Sequence, residues 1–224
     1  MCGRFALYTD PLALAKRFQT DNVPDIKASY NVAPSQTISI VRQENSKRHF
    51  AFARWGLIPS WAKEINTGYS TINARAETVA EKPTFRSAFK HRRALVICDG
   101  YFEWQEQANN KVKQPWFITL KDKQPMALAG LWEQWRGSDG SEIESCSIIV
   151  TSGNELMQNI HDRMPVILPN QHWESWLATD NTDTNGLQTL LTQYPSEQMT
   201  AWPVSTVVNS PRHNTEECIK PVSS

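Results

Sequence analysis

From residue 94 onward the chain alternates short apolar runs with turn signals at hairpin spacing, a pattern that commits most of its length to β-structure. Strands are predicted at 94–98, 101–106, 115–121, 126–135, 145–151 and 165–168, separated by Asp-Gly, Asn-Asn, Asp-Lys-Gln-Pro and Gly-Ser-Asp-Gly turns. Upstream, Thr37-Ile38-Ser39-Ile40 and residues 49–53 alternate as half-buried strands about a polar turn at 43–47. Thr9-Asp10-Pro11 places cap residues and a first-turn proline ahead of the Leu14/Phe18 pair, which predicts a short helix ending near Gln19, followed by an irregular stretch. Further helices are expected near 84–90, 153–159, 170–178 and 185–193. The fold class is therefore α+β, with a mostly antiparallel, barrel-like β-sheet core and short flanking helices in one domain, 1–224. No internal repeat or linker divides it.

A chain of 224 residues with 40% hydrophobic content can bury a full core. Most of its nine tryptophans belong there, with some left as stacking surfaces. No stretch approaches the ~20 apolar residues that span a bilayer, and no signal segment is present. A soluble intracellular protein without membrane partners is expected. Cys2, Cys98, Cys146 and Cys218 lack metal-ligand spacing, so neither a metal nor a disulfide framework is expected, and no cofactor. Cys98 and Cys146 read as buried small hydrophobes. Net charge is zero, but residues 1–100 carry 15 Lys/Arg against 8 Asp/Glu and the remainder the reverse. That asymmetry fits a basic face or pairing between the halves.

The chemistry-bearing segments begin at Met1-Cys2-Gly3-Arg4-Phe5. A small second residue permits removal of Met1, leaving Cys2 with an α-amine (pKa ~7.7–8) and a thiol (~8.5) on adjacent carbons. Such a pair condenses with an aldehyde to an imine and closes on it as a thiazolidine. Asn73 and Arg75 in Asn73-Ala74-Arg75-Ala76-Glu77-Thr78 share one face of extended backbone, suiting a positioned amide and an anion clamp, or a solvated face with a salt bridge. Glu103 in Gly100-Tyr101-Phe102-Glu103-Trp104 lies opposite Phe102 and Trp104. It is exposed if only the aromatic face is covered, and a general acid of raised pKa if both are. His161, in Ile160-His161-Asp162-Arg163-Met164-Pro165, suits proton transfer beside Asp162 and Arg163, or a loop histidine bonded to backbone. Arg4, Arg54, Arg86 and Lys90-His91-Arg92-Arg93, with Trp55 and Trp61, would make a basic, aromatic groove for single-stranded nucleic acid, or merely a solvated patch.

Met1-Cys2-Gly3-Arg4-Phe5, Tyr30-Asn31-Val32-Ala33-Pro34, Trp55-Gly56-Leu57-Ile58-Pro59, Asn73 to Thr78, Gly100 to Trp104 and Ile160 to Pro165 together resemble the ordered signature blocks of the SOS response-associated peptidase (SRAP) family. The likeness runs on to Trp202-Pro203-Val204-Ser205 and Asn209. It implies a cytoplasmic, nucleoid-associated sensor of abasic sites in single-stranded DNA, with replication-fork proteins as further partners. Its mature Cys2 would crosslink the ring-opened sugar as a thiazolidine in the DNA-damage (SOS) response. By the same resemblance Cys2, Asn73, Glu103 and His161 are catalytic, and Arg4, Asn31, Pro34, Trp55, Trp61, Arg75, Arg86 and Arg163 bind DNA. Some members resemble a Trp-Trp doublet where this chain has Trp61-Ala62, so one stacking ring is absent. Two other classes stay open: an N-terminal-cysteine peptidase, including one that removes its own Met1, and a non-catalytic single-strand binding module.

Overall fold

The computed structural model describes residues 2–65, 71–108 and 110–222, the last segment without the side chains of Asn110 and Lys111. Removal of Met1 and half of the expected Asn-Asn turn lie outside the described residues. In chain order the elements are β1 (Phe5–Leu7), α1 (Pro11–Phe18), β2 (Ser29–Val32), β3 (Thr37–Glu44), β4 (Lys47–Trp55), β5 (Asn73–Arg75), α2 (Arg86–His91), β6 (Arg93–Cys98) and β7 (Gly100–Gln107). They continue as β8 (Asn110–Leu120), β9 (Met126–Arg136), β10 (Glu142–Ser152), α3 (Glu155–Gln158), β11 (Arg163–Pro165), α4 (Trp173–Leu177), α5 (Thr184–Thr189) and β12 (Met199–Pro203).

Strands β10, β4, β3, β6 and β9 pair in that order, and β9 returns to β10, closing a five-stranded barrel. Closure removes unpaired edges. Pairing is antiparallel except where β10 runs parallel to β4 and to the short β5. The β3–β4 hairpin turns through Asn45 and Ser46, both at positive φ (49° and 62°), the two-residue geometry whose twist matches the flanking strands. The strands thus run further into the expected 43–47 turn than its polar composition suggests.

A second sheet, in the order β12-β8-β7-β1-β2, packs on the barrel. Phe5 of β1 meets Trp55 of β4 with ring centroids 5.2 Å apart, and Cys2, Phe5 and Leu7 join the same buried cluster as Ile40, Ala74 and Val96. Its other face is covered by the C-terminal segment through Ala6, Phe102, Phe117, Val204, Val208 and Cys218. Both faces of the first half of β7, residues 100–103, are therefore buried. Gly100, at its start, permits this closeness, since a Cβ there would collide with the Phe117 ring.

Helix α1 follows the expected local rules. Asp10 accepts from the Leu12 and Ala13 N–H groups, Pro11 opens the helix, and Leu14 and Phe18 face the core. Strands β1, β2 and β12 were absent from the sequence reading. The strand expected at 165–168 is instead β11, with Ile167 making only an isolated bridge to Leu128.

Candidate functional site

Three non-neighbouring segments converge where the second sheet meets the barrel. Cys2 precedes β1 and is fully buried, and its carbonyl accepts a 2.8 Å hydrogen bond from Asn73 Nδ2 on β5. Register fixes that encounter, because β5 is pinned to β10 through Ile148 opposite Asn73. The Asn73 Oδ1 atom is buried without a hydrogen-bond partner among the described residues. The Cys2 sulfur accepts the Arg4 backbone N–H, but burial and then the Glu103 carboxylate push the thiol pKa well up.

Glu103 on β7 is 2% exposed. The covered-face alternative thus holds: alternation sends Phe102 into the small C-terminal cluster and Glu103 toward Cys2. Burial raises the Glu103 pKa from 4.5 to about 7. His161 Nε2 stands 3.9 Å from Glu103 Oε2. Its Nδ1 meets two groups, the Arg163 backbone N–H at 3.0 Å and the Asp162 carboxylate at 2.8 Å. The backbone donor is permanent, whereas the Asp162 side chain is 83% exposed and open to water. This assigns the proton of neutral His161 to Nε2, facing Glu103. Burial also lowers the His161 pKa below its usual 6.5. A neutral imidazole facing a carboxyl that titrates near neutrality is an arrangement that can pass a proton between them.

Around this centre the expected DNA-binding residues divide. Arg75 is exposed two residues from Asn73, and Arg163 Nη1 pairs with Glu77 Oε1 at 2.5 Å. Burial raises the Glu77 pKa, but its own N–H and the Arg163 and Arg75 guanidiniums outweigh that and hold it low. Trp61 is 67% exposed and Pro34 half-buried. Arg4 Nη1 donates to Asn31 Oδ1 (2.7 Å) and the Val208 carbonyl (2.8 Å), and its guanidinium lies 5.8 Å from the Trp104 ring centre.

Two expectations need correcting. Trp55 is no stacking surface: it is fully buried, with Nε1 donating to the Ile72 carbonyl. Asn31 is 1% exposed, and its amide donates to the carbonyls of Val208, Ser210 and His213, so it anchors the C-terminal segment instead of facing a ligand. Arg86 lies exposed on α2, which packs on β6 and β9. The neighbouring basic cluster also shrinks. Arg93 is buried on carbonyls of both α2 and α4, and Arg92 pairs with Glu133 at 2.7 Å.

Sequence reasoning missed Trp104 and Lys113. Trp104, read as core, is half-buried and held by Asn209 at 2.7 Å. Lys113 on β8 acts electrostatically on both Glu103 and His161. Its position opposite β7 follows from the hairpin register, the one signal that could have placed it. Among the described residues no three His, Cys, Asp or Glu side chains group as metal ligands, and no helix is long and apolar enough to cross a membrane.

A family model described as SOS response associated peptidase (SRAP) matches residues 1–211. The Bacillus subtilis (strain 168) protein named abasic site processing protein YoqW is 44% identical over 98% of this chain and 99% of its own length. Abasic site processing protein HMCES of Xenopus tropicalis is 35% identical over 85% of this chain and 65% of its own. An X-ray structure of a Bacteroides thetaiotaomicron protein superimposes with a TM-score of 0.87 at 28% identity, covering 99% of this chain and all of that one. The chain belongs to the SRAP family.

Proposed function

We propose that this protein captures abasic sites in single-stranded DNA as a covalent thiazolidine on Cys2. One observation carries the reading: Asn73 holds the Cys2 backbone while a buried carboxyl titrating at about 7 stands 3.9 Å from His161. In the mature chain the Cys2 amine attacks C1′ of the ring-opened sugar. Glu103, as the neutral acid, protonates the departing hydroxyl as water leaves and the imine forms. The Cys2 S–H then adds to the protonated imine: sulfur bonds to carbon, the C=N electron pair returns to nitrogen, which keeps the amine proton it already carries, and the thiol proton passes to the Glu103 carboxylate. His161 Nε2–H serves the sugar hydroxyl or the adjoining phosphate.

The state of the thiol favours this reading over the peptidase one. A thiolate nucleophile needs a lowered pKa, whereas Cys2 is pushed up by burial and by Glu103. A thiol that adds to an imine already held beside it has no such need. Exposed Arg75 and Trp61, Arg163, and Trp104 against Arg4 supply phosphate and stacking contacts for the strand.

The test is a denaturing gel with an oligonucleotide carrying one abasic site. Wild type should give a heat-stable band, Cys2→Ala none, and Cys2→Ser at most a borohydride-trapped imine. Intact mass should show that reacting protein lacks Met1. A full-strength band from Cys2→Ala, or cleavage of a Met-Cys-Gly peptide without any crosslink, would overturn the proposal.

A further inference from the structure

Glu103 and His161 come from different sheets. Strand β7 pairs with β1 and β8, whereas β11, which follows His161, pairs with β10, so no ladder bond holds the two side chains at their 3.9 Å separation. A third side chain spans the gap. Gln105, two residues beyond Glu103 on β7, donates from Nε2 to the Asn159 carbonyl at 2.5 Å and accepts at Oε1 from the Trp116 indole N–H on β8 at 3.1 Å. An indole nitrogen can only donate and a carbonyl can only accept, so these two partners fix which way the amide points. They also select the residue type. An ionised glutamate would accept from Trp116 but have nothing to give Asn159, and a lysine would donate to Asn159 but leave the indole unanswered.

We propose that Gln105 is a positioning residue that holds the loop carrying His161 against β7 and so sets the distance at which the imidazole meets Glu103. This deepens the function proposed above and rests on it for the reaction, though not for the hold on the loop. Asn159 stands two residues before His161, and the turn between them is tight: the Ile160 and His161 N–H groups both bond the Met157 carbonyl, at 2.8 and 2.7 Å. Just past β10, the Gly153 N–H bonds the Asp162 carbonyl at 2.8 Å, and Ile160 is buried in the main core. Those contacts fix the loop to the barrel. Gln105 fixes it to the sheet that carries Glu103. Since 3.9 Å exceeds hydrogen-bond reach, a small displacement of the loop decides whether a proton can pass between the two groups. Gln105 is half-buried, so its bonds are of ordinary strength and the expected effects are several-fold.

Gln105→Met keeps the length and bulk of the side chain and removes both bonds. In hydrogen exchange the Ile160 and His161 amides should open about three- to tenfold faster in the variant, while those of β6 and β9 keep their wild-type rates. The imidazole titration, followed by NMR, supplies a second reading without DNA. Burial holds the His161 midpoint below 6.5, and a released loop should let it rise toward that value. The groups facing His161 are Glu103 on β7, Lys113 on β8, Asp162 and Arg163 on its own loop, and the amino terminus, none of which the substitution removes. With an abasic oligonucleotide the crosslinking rate should fall about three- to tenfold, and affinity for the uncut single strand should not change. In a His161→Ala background the same substitution should cost nothing further, because a residue that acts through His161 has nothing left to position. Unchanged exchange at 160 and 161 with an unmoved His161 midpoint, or an equal rate loss with and without His161, would overturn the proposal. A wild type that forms no crosslink would strike the function alone, and the exchange and titration would still decide for or against Gln105.

Discussion

Two buried carboxylates stand four residues apart around the β6–β7 junction, and the chain treats them in opposite ways. Asp99, 3% exposed, accepts from the Tyr8 and Thr9 N–H groups and from Thr9 Oγ1, which ties the segment after β1 to the corner between the two sheets. Glu103, 2% exposed, faces an imidazole 3.9 Å away and has its pKa driven up to about 7 by burial. Burial is nearly equal, so burial does not distinguish a structural acid from a working one. Partners do: the donors on Asp99 tie two segments of the chain together, while the neighbours of Glu103 are themselves titrating groups.

The comparison breaks most sharply on rate. Glu103→Gln should slow both formation and reversal of the crosslink by ~10–10², the lower part of the range for lost general acid–base help, because a good amine and an open aldehyde also react unaided. Binding to uncut single strand should stay within about twofold. Time courses with an abasic oligonucleotide, beside equilibrium binding to its intact counterpart, measure both. Wild-type time courses in the variant would remove Glu103 from the mechanism and leave it a buried oddity.

How far this contrast was legible in the sequence depends on the range of the forces involved. The hairpins β6 to β10 and the cap of α1 are written locally, in turn residues, Asp10 and Pro11, and they stand within a few residues of expectation. Strands β1, β2 and β12 are three to five residues long and exist only through distant partners, Phe5 opposite Tyr101 and Met199 opposite Leu120. Periodicity over so few residues carries no signal. The same limit governed the site. Alternation put Glu103 opposite Phe102, but whether its face was covered depended on Cys2 and the barrel packing there from the other sheet. Trp55 and Asn31 went astray for the same reason, since Ile72 and the carbonyls of residues 208–213 are far away in sequence.

Next in size is the structural acid. Asp99→Asn replaces charge-assisted acceptors with an amide that offers one carbonyl oxygen to three donors. It should cost ~2–3 kcal/mol of unfolding free energy, measured by urea denaturation at pH 8. The crosslinking rate of the folded fraction should change little, since none of the three donors belongs to the site. A large rate loss with unchanged stability would mean that Asp99 serves the reaction and that the division between the two acids is false.

The smallest effect, and the most discriminating, is what Glu103 costs the fold. Its folded-state pKa of about 7 exceeds the ordinary 4.5, so between those values the native state binds more protons than the unfolded chain. Stability associated with this group is therefore full below about pH 4.5 and is lost as pH rises through 7. At ~1.4 kcal/mol per unit, the loss by pH 8 has a ceiling of about 3 kcal/mol, and relaxation of the pocket should leave about 1–2. Glu103→Gln keeps the shape and removes the titration. The variant should match wild type near pH 5 and exceed its stability progressively toward pH 8. His161 titrates in the same window with its pKa lowered, which stabilises the fold above pH 6.5 and works against the Glu103 trend. Repeating the pair in a His161→Ala background removes that opposition and should make the Glu103→Gln gain easier to read. Asp99→Asn offers the control, destabilising at pH 8, where Glu103→Gln stabilises. If Glu103→Gln instead destabilised the protein at pH 8, its carboxylate would be a satisfied structural group like Asp99, and the proton relay with His161 would lose its physical basis.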